Sequence, residues 1–246
     1  MRLKSAQITF VPTKKIKAKI MKSQKIATRT FGVFFLLAFL SYGLGSGMVE
    51  SILNVDNPLV NIHQNKGQLT LSVVLMALVH TVVNIGLPVI MATLLKRYNK
   101  FMGYGYLSAG IAATVIAVFG AIFIMLLVPL SAMYVNAEPA DITYYETLSV
   151  VLQKGGYYSY QISMAIWGVG GLMFCRLLCL SKLVPRFFAV WGTIGYAIFI
   201  AGCVAELFGS EIGVMLSLPG GLFEIVLSIW LIIKGFKTSD SLAPLK

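Results

Sequence analysis

Glu224 is the residue of this 246-residue chain best placed to do chemistry. It falls about 12 residues past one end of an apolar run, 212–233, and about 9 before the other. A carboxyl group there, away from water, needs a cation, a proton or hydrogen-bond donors. Pro219-Gly220-Gly221 stands just before it, a sequence expected to bend or open a helix and free backbone carbonyls. A broken helix beside a carboxylate is how many transporters build a cation or proton site. The same residues also read as a kinked helix whose Glu224 is bonded to a neighbouring helix.

His80 and Asn84 are spaced i, i+4, which puts them on one helix face, with Pro88 one turn further. If their helix packs against that of Glu224, a His–carboxylate pair follows that could relay protons or bind a metal. The plainer reading is an interhelical polar bond that holds the bundle together. Arg176 sits about one turn from the end of its apolar run, where it either snorkels to headgroups or bridges to Glu224. Glu206 lies near the end of another run, within reach of water. Cys175 and Cys179 share a face, but without a Met or His pattern they read as small packing residues. No disulfide, resident metal or cofactor is expected. The chain has no His-Glu-x-x-His and no Gly-x-Ser-x-Gly, and it is not expected to be an enzyme.

Long apolar helices must position these residues. The chain is 58% hydrophobic and 12% charged, against about 25% charged in soluble domains, with a mean hydropathy of +0.84. This excludes a disordered chain and a nucleic-acid module, so no nucleic-acid partner is expected. Six runs reach the roughly 20 residues that cross a bilayer: 30–49, 69–95, 106–135, 157–180, 187–208 and 212–233. They are apolar on all sides rather than alternating, which argues for helices over a β-barrel. The fold class is therefore all-α: a polytopic six-transmembrane-helix bundle.

Charge supplies the orientation. Residues 1–29 carry nine Lys and Arg and no acid. Lys96, Arg97, Lys100, Arg176, Lys182, Arg186, Lys234, Lys237 and Lys246 fall on the same side. Glu50, Asp56, Glu138, Asp141, Glu146 and Glu211 fall on the other, with only Lys66 and Lys154. The positive-inside rule then puts both termini in the cytoplasm. The chain divides into a basic arm, 1–29, a membrane domain, 30–236, and a short tail, 237–246. Ile16 and Ile20 lie one helical turn apart among lysines, so the arm also reads as a surface segment for anionic lipids.

The outer loops, 51–68 and 136–156, are longer than the inner ones, 96–105 and 181–186. Within the second outer loop the apolar stretch 148–152, followed by Gly155-Gly156, reads as lying on the membrane surface. Tyr134, Tyr144, Tyr145, Tyr157, Tyr158 and Tyr160 read as an interfacial aromatic belt. Gly43 and Gly47, and Gly209 and Gly213, have the small-xxx-small spacing of helix contacts.

Residues 182–186, Lys-Leu-Val-Pro-Arg, lead into Trp191-Gly192-Thr193-Ile194-Gly195-Tyr196. Leu218-Pro219-Gly220-Gly221-Leu222-Phe223-Glu224-Ile225 and Trp230-Leu231-Ile232-Ile233-Lys234-Gly235-Phe236 follow. With Asn84-Ile85-Gly86-Leu87-Pro88, this pattern resembles the bacterial multi-span family called domain of unknown function 4386 (DUF4386), over roughly residues 30–236. It departs from that family at 108–114, which lacks the Arg and Glu many members carry there. The resemblance implies a bacterial plasma-membrane protein of six spans and singles out Pro185, Arg186, Gly192, Pro219 and Glu224. It implies no activity. Together these readings give a non-enzymatic, membrane-embedded binding or regulatory component with the bilayer as its partner. The alternative is a small permease with its site around Glu224 and a sixth run broken at Pro219-Gly220-Gly221, joined by His80 and Asn84; Arg176 completes the candidate intramembrane polar residues.

Overall fold

The computed structural model describes residues 14–237, with side chains from residue 21 onward. The arm residues 1–13, the side chains of Ile16 and Ile20, and the tail 238–246 lie outside the described residues. The described elements are helical: α1 (Lys14–Leu53), α2 (Pro58–Gln64), α3 (Lys66–Val73), a π-helical turn (Val74–Val79), α4 (His80–Leu95), α5 (Lys100–Met125), α6 (Leu127–Tyr134), α7 (Ile142–Ser181), α8 (Arg186–Leu207) and α9 (Gly213–Ile233). Among the described residues six stretches are long and apolar enough to cross a membrane: Met21–Leu53, Lys66–Leu95, Lys100–Tyr134, Ile142–Ser181, Arg186–Leu207 and Gly213–Ile233. We call the end holding Lys96, Arg97 and Lys182 the basic end, and the other the acidic end.

The spans form a closed ring, each packed on its neighbours in sequence and the last on the first: α1 on α4, α4 on α5, α5 on α7, α7 on α8, α8 on α9, and α9 back on α1. Lipid offers no hydrophobic drive between helices, so small residues must let backbones approach. At Gly32 a Cβ would meet the Ser228 carbonyl at 2.6 Å, and at Gly195 it would meet the Gly220 Cα at 3.0 Å. Toward the basic end the ring is filled: Phe31, Leu87, Leu95, Phe174, Leu178 and Leu231 are fully buried, and the Phe31 and Phe174 rings lie 5.6 Å apart.

Local chemistry sets the breaks. Pro129 lacks an N–H and its ring crowds the carbonyl four residues back, at Met125, which is where α5 ends. Pro88 and Pro219 do not interrupt their helices. The expected break at Pro219-Gly220-Gly221 is therefore absent: α9 runs through it, and Gly220 is used for contact with Gly195 rather than for opening. Helix α8 ends in a Schellman motif: Gly209 has φ +88°, and the Ser210 N–H bonds the Ala205 carbonyl at 3.0 Å. In the π turn the His80 N–H bonds the Leu75 carbonyl, five residues back. The extra residue rotates everything beyond it relative to a regular helix.

Three further expectations are corrected. The stretch 148–152 does not lie flat; it is part of α7, which continues for 40 residues, about 60 Å and twice the hydrocarbon thickness. Gly155 and Gly156 do not end it, because they receive Phe123 and Ile124 of α5. Gly43 and Gly47 are not contact glycines: a Cβ at either would meet nothing within 4 Å, whereas one at Gly45 would meet the Ser72 carbonyl at 2.9 Å. Likewise Gly209 serves the α8 terminus, whereas Gly213 does stand at a helix contact, against Glu206 and Gly202 of α8.

Candidate functional site

Glu224 lies eleven residues into α9 from Gly213, about 16 Å and close to mid-span. Its carboxylate is buried and held from two other helices. The Trp167 indole N–H of α7 donates to Oε1 at 3.1 Å, and the Tyr196 hydroxyl of α8 donates to the same oxygen at 2.5 Å. Both bonds fall on Oε1 and Glu224 lines a cavity, so Oε2 is the oxygen left to an occupant.

The cavity measures about 930 Å³ and takes residues from all six spans, at the upper end of small-molecule sites. Its mouth, at the acidic end, carries Glu50, Asn54 and Lys154; its floor carries Glu224, Trp167 and Tyr196. The walls are mainly apolar and aromatic, and Tyr42 and Tyr160 stack there with ring centroids 5.3 Å apart. Of the tyrosines expected to form a belt, Tyr157 and Tyr160 line the cavity, and Tyr144 and Tyr158 are exposed.

His80 and Asn84 line the same cavity as Glu224, but neither bonds to it. His80 Nδ1 lies 3.2 Å from the Ala38 carbonyl of α1, a contact in which Nδ1–H donates. His80 Nε2 is buried without a partner. The Asn84 amide donates to the Thr114 hydroxyl of α5 at 2.8 Å. The structure therefore gives both side chains interhelical ties.

Arg176 does not join the site. Nine residues separate it from Trp167, about two and a half turns, so the two leave α7 on opposite faces roughly 14 Å apart along the axis. Arg176 is exposed, and the bonds to Glu224 come from Trp167 and Tyr196 instead. Glu206 also departs from expectation. It is buried at 8% exposure, accepts the Tyr157 hydroxyl and accepts the Gly213 N–H at 2.6 Å. It therefore caps the first turn of α9 and ties that turn to α7. Cys175 is buried and Cys179 exposed. No group of three His, Cys, Asp or Glu fit to hold a metal occurs among the described residues.

A family model, domain of unknown function (DUF4386), matches residues 30–235. The chain belongs to the DUF4386 family. No curated protein and no solved structure matches it. The DUF4386 motif residues now have places. Pro185 is the N-cap position of α8, and Arg186 is exposed at its start. Gly192 admits the Phe223 ring, which a Cβ would meet at 2.5 Å. Pro219 and Glu224 sit on the one helix that carries the floor carboxylate. Trp167, Tyr42 and Gln161 also line the cavity and had no sequence signal beyond being aromatic or polar in a span, and Tyr160 had only its belt reading.

Proposed function

We propose that this DUF4386 protein is a non-enzymatic, membrane-embedded binding component whose ligand occupies the cavity above Glu224. One observation carries the reading: a carboxylate near mid-span has one oxygen fixed by Trp167 and Tyr196 and faces a cavity of about 930 Å³. Fixing one oxygen and leaving the other to an occupant is how a binding group is preorganised. On this reading the protein is a multi-pass protein of a bacterial plasma membrane. Its basic end faces the cytoplasm, its cavity opens outward, and the basic arm engages anionic lipids.

A second reading, a small permease, is favoured by the asymmetry of the bundle. The cavity opens at the acidic end, whereas Phe31, Phe174 and Leu178 fill the basic end, as an outward-open carrier would require.

Thermal unfolding of the detergent-solubilised full chain, with and without a small-molecule extract of the source membrane, tests the binding reading. Stabilisation of the natural protein and not of Glu224→Gln supports it. Equal response of the two proteins refutes it.

A further inference from the structure

We infer that the occupant is an organic cation with an apolar body, and that it enters from the bilayer through the seam between α1 and α9. The inference rests on the cavity being a binding site and names its ligand class and route.

A carboxylate at mid-span requires a proton or a cation close by. Lys154 is the only Lys or Arg lining the cavity among the described residues. It stands thirteen residues before Trp167 on α7, about 20 Å away along the axis, with its ammonium 5.4 Å from the Tyr157 ring centre. Arg176 is on the opposite face. Trp167 and Tyr196 bring hydrogen bonds but no charge, and His80 is tied to the Ala38 carbonyl, so a cation that neutralises Glu224 in place of a proton comes from outside the chain.

The walls say which kind. Phe35, Tyr42, Tyr160, Trp167, Tyr196 and Phe199 surround the approach to Glu224. Aromatic faces attract large, weakly hydrated cations. A hard metal ion would ask for six or more oxygen ligands, and the only carboxylates in the lining are Glu224 and, at the far mouth, Glu50. One carboxylate among rings suits an ammonium or similar centre carrying apolar groups.

The seam supplies the route. Helices α1 and α9 are in close contact from Gly32 on Ser228 to Phe39, whose ring lies 3.9 Å from a Cβ built at Gly221. Beyond that point both helices still line the cavity, through Gly43 and Ser46 on one and Ser217 and Val214 on the other. Nothing lies within 4 Å of a Cβ at Gly43 or Gly47, and Val214 is 78% exposed. The cavity therefore communicates with the acyl layer as well as with the mouth, where Glu50 and Lys154 offer no net attraction.

Two ions of the same shape and opposite charge test this: tetraphenylphosphonium and tetraphenylborate, titrated onto the full chain in nanodiscs of phosphatidylglycerol. Saturable binding of the phosphonium alone is expected, weakened at least about tenfold by Glu224→Gln. Gly43→Trp, which fills open space and leaves the floor intact, is expected to slow association at least about tenfold, with Leu44→Trp, exposed and outside the cavity lining, at the natural rate. Adding phosphatidylethanolamine to the discs separates two sources of the cation: displacement of the phosphonium assigns it to a lipid headgroup, and persistence to a free amine. Equal binding of both ions, or Glu224→Gln binding as the natural protein does, overturns the cation and leaves the cavity a site for something else. Unchanged association in Gly43→Trp overturns the route. Absence of binding here with stabilisation by the membrane extract likewise overturns this inference and spares the broader one.

Discussion

The Tyr196 hydroxyl approaches Glu224 to 2.5 Å across the contact of α8 with α9, beside the Gly195–Gly220 contact that brings those helices together. The close helix contact and the short hydrogen bond depend on each other. A wider α8–α9 spacing would leave a buried carboxylate short of a donor, at about 1–3 kcal/mol.

Gly195→Ala should therefore lower the melting temperature of the detergent-solubilised protein, since its Cβ would meet backbone atoms of Pro219 and Gly220 at 3.0–3.1 Å. Overpacking of this kind costs about 1–3 kcal/mol. Gly43→Ala should be silent. Thermal unfolding of the two variants side by side checks the placement, and an equal effect would contradict it.

Tyr196→Phe and Trp167→Phe each remove one donor from the same oxygen. Each should destabilise, by about 1–3 kcal/mol. The double variant should depart from the sum of the two, because residues sharing a partner are coupled. A double-mutant cycle on melting temperature reads this out, and strict additivity would count against a shared acceptor.

Glu206→Ala should destabilise more than Glu211→Ala or Glu138→Ala. Glu206 is buried and accepts from Tyr157 and Gly213, whereas the other two acids are exposed. The cost expected for stranding the Gly213 N–H and the Tyr157 hydroxyl is about 1–3 kcal/mol. Protease sensitivity of the turn between α8 and α9 should rise with it.

Arg176→Gln should leave ligand binding unchanged, because Arg176 leaves α7 opposite to Trp167 and is exposed. Loss of binding in that variant would return Arg176 to the site.

Which features of this fold could be read in the sequence follows from what hydropathy encodes. A bilayer demands long apolar runs, so all six spans and the intramembrane position of Glu224 were legible. The partners of Glu224 were not. Trp167 is 57 residues away and Tyr196 is 28, and in a span an aromatic ring looks the same whether it packs or donates. Glu206 misled because nearness to a span end suggests water, whereas the α8–α9 turn brings the Gly213 N–H onto that carboxylate. Glycine spacing misled at Gly43 and Gly47 because spacing fixes a shared face but not what lies opposite it. The π turn before His80 carries no composition cue, since its residues are as apolar as those around it.

Whether Glu224 holds a ligand is read out by native mass spectrometry of the full chain released gently from its own membrane. A stoichiometric small molecule on the natural protein, missing from Glu224→Gln, is the expected result. Lipid alone, carried equally by both proteins, would contradict it and leave Glu224 as a bond between helices.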